Sequence, residues 1–238
     1  MLPRITGIID RRILLNYRAP LSVVQEMLPG PFEVRSVNGL ALIGVCLIRF
    51  KSLRPAFLPA ALGISSENAA HRISVVWSDK VGTHTGVYVT RRDTNSAFVK
   101  LTGGRVFPGV HGRAKFDVEE SSDRVAISIG DSDGVLVSLS GEISDDFSSE
   151  VFASHDEASR YFQDDRIGYS PARSDRELEG LKLNCHKWVT SNLRIDESYV
   201  REFSALSPEI EFDHALIMHG VSHDWSEVPR LCCSTPSQ

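Results

Sequence analysis

Asn38-Gly39-Leu40-Ala41-Leu42-Ile43-Gly44-Val45-Cys46-Leu47-Ile48 decides the fold: a turn dipeptide, then nine residues without a charge or a polar amide. A strand with one wet face alternates apolar and polar side chains. This run is apolar at every position, so it reads as a central strand covered on both sides, with Cys46 as a buried small hydrophobe. Asn-Gly tolerates the positive φ angles of a type I′ turn, so Phe32–Val37 and Leu40–Phe50 read as the two arms of a hairpin.

Upstream, Ile13, Leu15 and Tyr17 share one face of a first strand, with Asn16 and Arg18 on the other. Pro20 opens a short helix over Leu21–Leu28, and Pro29-Gly30-Pro31 ends it. Downstream, Leu53–Gly63 is an ordered loop. Arg72–Trp77 and Gly86–Asp93 pair around Lys80-Val81-Gly82. Arg113–Val118, Val125–Ile129 and Val135–Ile143 continue the meander through Asp133-Gly134. Ser154-x-x-Glu157 is a capping box, in which each side chain satisfies a backbone N–H of the first turn, and it opens a helix to about Asp164. Leu181–Ile195 alternates as one long strand, Glu197–Leu206 is a helix, and Phe212–Val221 closes the chain as a strand. About nine or ten strands joined by tight turns favour a barrel or sandwich over alternating βαβ units. With no linker or repeat in view, residues 1–238 are expected to form one domain, with a core over about 10–226 and a flexible tail over 227–238.

Composition narrows the function. A net charge of −5 and a pI near 5.9 argue against a general nucleic-acid binder. No apolar run approaches the ~18 residues that would cross a membrane, and Met1-Leu2-Pro3-Arg4 lacks a signal-peptide core, so a cytoplasmic protein is expected. The cysteines lack C-x-x-C spacing, and His214, His219 and His223 lack an H-E-x-x-H arrangement, so neither a structural disulfide nor a metal site is expected.

The charges are unevenly spread. Arg91, Arg92, Lys100, Arg105, Arg113 and Lys115 face one acid, Asp93, within a single stretch that also holds His111, whereas Asp117–Asp165 carries fourteen acids against Arg124 and Arg160. Guanidinium forks bind carboxylates in a bidentate manner, so the cationic stretch suits a small anionic ligand; the alternative is solvated strand faces that pair with the acidic half. In a strand Arg91 shares the face of Val87 and Val89, and Arg92 that of Tyr88 and Thr90, so one arginine faces an apolar side. Glu67, Asn68, His71 and Arg72 form a second polar cluster. In a helical turn Glu67 and His71 would share a face as an acid–base pair, unless Glu67 caps the turn and His71 is a core histidine.

Several segments resemble the YqjF-like uncharacterised family of the acetoacetate-decarboxylase-like superfamily. They are Asn16-Tyr17-Arg18, Leu28-Pro29-Gly30-Pro31-Phe32, Cys46-Leu47-Ile48-Arg49, Ser66–Arg72, Arg91-Arg92-Asp93-Thr94, Gly103–Gly109 and Phe212-Asp213-His214-Ala215. The resemblance spans nearly the whole chain. It implies a mainly β (α+β) fold: a conical, mostly antiparallel β-barrel with an internal pocket and two or three peripheral helices. The decarboxylase forms a Schiff base through a lysine whose pKa a neighbouring lysine depresses. Gly104-Arg105 and Phe107-Pro108 match the segment that leads to that pair, but Gly109 and Val110 stand where the lysines would be, and neither forms an imine. By similarity Arg18 is a pocket residue.

These readings converge on a pocket for a small carboxylate or oxo acid. Arg18, His71, Arg91, Arg92 and Arg105 would bind it, Glu67 or His111 would move protons, and no cofactor or metal is required. Two alternatives stay open: a non-catalytic small-molecule-binding domain, and a decarboxylase or aldolase that uses a relocated Lys115, although Lys115 shares its strand face with Asp117. A homo-oligomer is left open as well.

Overall fold

The computed structural model describes residues 4–102, 110–172 and 177–232. Its architecture rests on seven strands whose pairings close on themselves. In ring order these are β1 (Ile5–Pro20), β3 (Leu40–Pro55), β4 (Ile64–Ser78), β5 (Thr83–Thr94), β10 (Ile167–Pro171), β11 (Glu177–Cys185) and β13 (Glu211–Cys232), which returns to β1. All neighbours in the ring are antiparallel except β5 and β10, which run parallel. The ring realises the expected mainly β architecture.

The other edge of β13 carries a second layer: β12 (Ser191–Val200), β9 (Gly134–Ser144), β8 (Arg124–Asp131) and β7 (Lys115–Glu120). Two short strands complete the sheet, β2 (Glu33–Val34) on β4 and β6 (Gly112–Arg113) on β5. The helices are α1 (Leu21–Gln25), α2 (Ala97–Thr102), α3 (His155–Asp164) and α4 (Arg201–Leu206). None of the described helices is long and apolar enough to cross a membrane.

β3 is covered on both faces, as its unbroken apolar run requires. Ile43, Val45 and Leu47 pack outward into the main core, with Ile127, Ile129, Val137 and Leu139 of the second layer. Leu42 and Cys46 pack inward with Leu14, Tyr161 and Phe162. That double burial removes the strand from water on both sides and anchors the sheet.

Several expectations change where pairing is non-local. Asn38 (φ 51°) and Gly39 (φ 82°) do form the tight turn, closed by the Val37–Leu40 bridge, but β2 then pairs with β4 and not with β3. The expected loop at Leu53–Gly63 is shorter, because β3 continues to Pro55 and a 3₁₀ turn occupies Ala60–Leu62. The single strand expected over Leu181–Ile195 is two: β11 ends at Cys185, and the chain crosses to the second layer before β12. Residues 227–232, expected to be flexible, extend β13, with Val228 opposite Gly180 and Leu231 opposite Leu178. The capping box holds: Ser154 Oγ accepts from the Glu157 N–H at 3.3 Å, and α3 runs to Asp164.

Candidate functional site

All seven ring strands contribute to one cavity of about 130 Å³ inside the ring. Most of its wall is apolar: Ile48, Phe50, Val87, Val89, Leu181, Leu183 and Trp225. Against that wall stand Arg12, Arg72 and Arg92, with Cys46, Asn68 and His111. Phe162 and Asp165, at the end of α3, close one side.

Two strand irregularities aim the arginines. On β1, Ile9 pairs with Phe50 and Arg11 with Arg49, so Asp10 is an extra residue. On β5, Val89 pairs with Arg72 and Arg91 with His71, so Thr90 is extra. An inserted residue shifts alternation by one. Arg12 thereby joins Ile9 inside the ring, and Arg92 joins Val87 and Val89. This corrects the expected parity, which put Arg91 on the apolar face: Arg91 lies outside, bound to Asp93 (2.7 Å) and Asp131 (3.3 Å).

The wall also carries Arg166, whose Nε donates to the Gln163 carbonyl at 3.0 Å, and none of these four arginines forms an ion pair among the described residues. Arg92 Nη2 donates to Ser170 Oγ at a long 3.5 Å, and its Nε has no acceptor among the described residues. Burial lowers its pKa to about 10. Arg12 Nε and Arg72 Nη1 are likewise buried without an acceptor among the described residues. The two carboxylates on the wall are engaged elsewhere. Asp165 takes Arg35 at 2.5 Å and Ser74 at 3.3 Å, and Asp93 takes Arg91. Burial raises the Asp165 carboxyl to about 6, even against the opposing charges of Arg35 and Arg72.

Arg72, only 3% exposed, is fixed from behind. Its guanidinium lies 4.6 Å over the Phe162 ring, Nη2 donates to Asn16 Oδ1, and Nε donates to Cys46 Sγ at 3.2 Å. Asn16 Nδ2 in turn meets His214 Nε2 at 3.0 Å, and His214 Nδ1 meets Asp213 at 2.6 Å. Burial opposes ionisation of Asp213, but hydrogen bonds from His214 and Ser149 hold its carboxyl below the usual range.

The structure brings Arg92 and His111 to the cavity and puts Arg18, Glu67, His71 and Arg91 elsewhere. Arg18 points to the rim of the sheet, where it meets Glu211 at 2.5 Å and Asp213 at 3.6 Å. Glu67 and His71 lie on β4, not in a helical turn, so at about 3.3 Å per residue they stand some 13 Å apart along the strand and form no acid–base pair. Glu67 is held by Arg11 (2.7 Å) and Arg49 (2.6 Å), while His71 Nδ1 lies 2.8 Å from Glu202 beneath α4. Arg105 lies outside the described residues, as do Phe107 and Pro108. Lys115 is exposed and bound to Asp117 at 3.0 Å. No lysine lines the cavity among the described residues, and no group of three or more His, Cys, Asp or Glu there could hold a metal ion.

Sequence reasoning passed over Arg12 and gave Cys46 only a packing role. The consecutive arginines Arg11-Arg12 carried the same signal as Arg91-Arg92, since adjacent strand residues face opposite sides and one of each pair must turn inward.

Solved structures with similar folds include acetoacetate decarboxylase from Legionella pneumophila subsp. pneumophila str. Philadelphia 1. It has a TM-score of 0.63 at 11% identity, over 96% of this chain and 88% of that one. An acetoacetate decarboxylase-like enzyme from Sphingomonas wittichii RW1 has a TM-score of 0.59 at 12% identity, over 98% and 91%. The enduracididine biosynthesis enzyme MppR, complexed with pyruvate, has 0.56 at 12% identity, over 100% and 93%. At these identities the likeness concerns the fold. No curated protein matches the chain. Residues 9–207 match the family DUF2071, described as an uncharacterized conserved protein, and the chain belongs to that family, on the acetoacetate-decarboxylase-like fold.

Proposed function

We propose that the ring cavity binds a small carboxylate, an oxo acid, and that the protein acts on it without an imine-forming lysine. The carrying observation is that Arg12, Arg72 and Arg92 face an apolar cavity with buried N–H groups that have no acceptor among the described residues. Burying a guanidinium away from water and without a counter-charge is costly, and an entering carboxylate would satisfy both the charge and the empty donors. A cavity of about 130 Å³ suits a molecule of few carbon atoms. The pyruvate bound by MppR, a protein of the same fold, supports that ligand class. His111, on the cavity wall, is the group to move protons. Glu67, held between Arg11 and Arg49, gives this role less support, and Lys115, exposed on Asp117, supports no imine route.

The test is thermal denaturation and calorimetric titration with pyruvate and a panel of short oxo and hydroxy acids, on the wild type and on Arg92→Met. The wild type should be stabilised by at least one of them. Arg92→Met should keep its circular dichroism and bind roughly 30-fold more weakly, from about 2 kcal/mol for a charge-assisted hydrogen bond. Equal stabilisation of both proteins would refute the arginine assignment. Stabilisation without turnover of any acid would instead favour a binding domain.

A further inference from the structure

We propose that Cys46 is a nucleophile of this cavity, a thiolate that adds reversibly to the carbonyl carbon of the oxo acid held by the arginines. The inference deepens the anion-pocket reading and rests on it.

Cys46 is 5% exposed, and its sulfur faces the cavity from the centre of β3. Arg72 Nε lies 3.2 Å from Sγ, and Arg12 Nη2 lies at 3.7 Å. Two guanidinium donors on one sulfur is an arrangement for an anion: a buried neutral thiol needs neither, and Met, Val or Ala would fill the space without binding two cations. A second observation points separately to a ligand. Arg72, 3% exposed, lines the cavity, and after serving Asn16 and Cys46 its buried Nη1 still has no acceptor among the described residues.

The charged and titratable groups on the cavity wall are Arg12 of β1, Arg72 of β4, Arg92 and Asp93 of β5, His111, and Asp165 and Arg166 after α3; of the two carboxylates, Asp165 is paired with Arg35 and Asp93 with Arg91. Burial alone would push the Cys46 thiol up, but Arg72 and Arg12, by charge and by hydrogen bond, outweigh it and hold the thiol below its ordinary range. The chain Asp213–His214–Asn16–Arg72 fixes the guanidinium that bears on the sulfur, making Asn16 and His214 positioning residues.

The chemistry balances without an oxidant or reductant. The thiolate electron pair forms the C–S bond, the carbonyl π pair moves to oxygen, and the alkoxide lies among guanidinium N–H groups until it takes a proton from solvent. Reversal expels the thiolate. This gives the cavity a covalent step in a ring whose described wall has no lysine.

The test uses full-length protein and 3-bromopyruvate, whose carboxylate mimics the acid and whose C–Br bond a thiolate breaks, forming C–S and releasing bromide. Peptide mass mapping should find the adduct on Cys46 ahead of Cys185, Cys232 and Cys233. Labelling should saturate with reagent and slow roughly tenfold with pyruvate at about ten times its dissociation constant. Its pH midpoint should fall below the ~8.5 of a free cysteine. The ultraviolet thiolate absorbance, wild type minus Cys46→Ala, should titrate at the same pH. If pyruvate still stabilises the protein but Cys46 stays unlabelled while the other cysteines react as free thiols, the nucleophile is refuted and the anion pocket stands. If pyruvate neither binds nor protects, the pocket reading falls and takes this inference with it.

Discussion

His223 is fully buried, its ring centroid 5.2 Å from that of Phe50 and 5.1 Å from that of Trp225. Burial, with the charge of Arg12 adding to it, lowers its pKa from 6.5 to about 4, so the folded state keeps the imidazole neutral where the unfolded chain would bind a proton. Between those two values the unfolded state holds more protons, and stability must fall as pH falls through that window, by up to about 3 kcal/mol. Urea denaturation at a series of pH values should show this loss in the wild type, and His223→Gln should flatten it. An unchanged slope in the variant would assign the acid sensitivity to other groups. At the residue scale the sequence told a reader that adjacent arginines on a strand cannot both face water. It did not tell which one turns in, because Asp10 and Thr90 act as bulges only in register with β3 and β4. Cys46 was legible as buried, and its two guanidinium neighbours were not, since they come from strands 34 and 26 residues away.

α3 was legible to the residue because its start is written locally: Ser154 accepts from Glu157 N–H, and Glu157 Oε2 reaches back to the Ala153 N–H at 2.9 Å. Its buried side chains, Ala158, Tyr161 and Phe162, follow at helical spacing, and Phe162 reaches the cavity. Losing an N-cap oxygen leaves a helix donor unpaired, so Ser154→Ala should lower stability by about 1 kcal/mol, and Ser154→Asp should retain it. Chemical denaturation of the three proteins checks both; an Ala variant as stable as the wild type would mean that Glu157 holds the first turn alone. Strands were less legible. Alternation predicts that a strand exists, not which strand it meets, so β2 was assigned to the wrong neighbour. β11 and β12 merged because the alternation carries on through the crossing at His186–Thr190. The Glu67–His71 segment failed for a related reason: a spacing of four is compatible with one face of a helix and with one face of a strand, and pairing with β3 and β5 decided it.

Closure of the ring depends on β1 meeting β13, where Ile5 lies opposite Trp225 at the far end of the chain, and nothing local encodes that contact. The second layer is then tied to the ring by the shared outer core, by contacts such as Arg91–Asp131 and Tyr17–Ser198, and by a polar knot. Arg11 of β1, 1% exposed, donates to Glu67 of β4 at 2.7 Å and to Glu120 of β7 at 3.0 Å, and Arg49 of β3 binds the same two carboxylates at 2.6 and 2.8 Å. The two arginines balance the two glutamates: each Glu67 oxygen takes one arginine, Glu120 Oε2 takes both, and Glu120 Oε1 lies 3.5 Å from His219. Arg11→Met keeps the packing of the stem but leaves two carboxylates on one cation, and stripping one partner from a buried pair costs about 3 kcal/mol. Adding Glu67→Gln to that variant removes the surplus charge and should restore part of the loss. The single and double variants, compared by urea denaturation at neutral pH, separate a charge imbalance from a packing defect. Recovery in the double variant means that the ion pairs join the two layers electrostatically. A double variant no better than Arg11→Met alone would leave the apolar core as the joint between them.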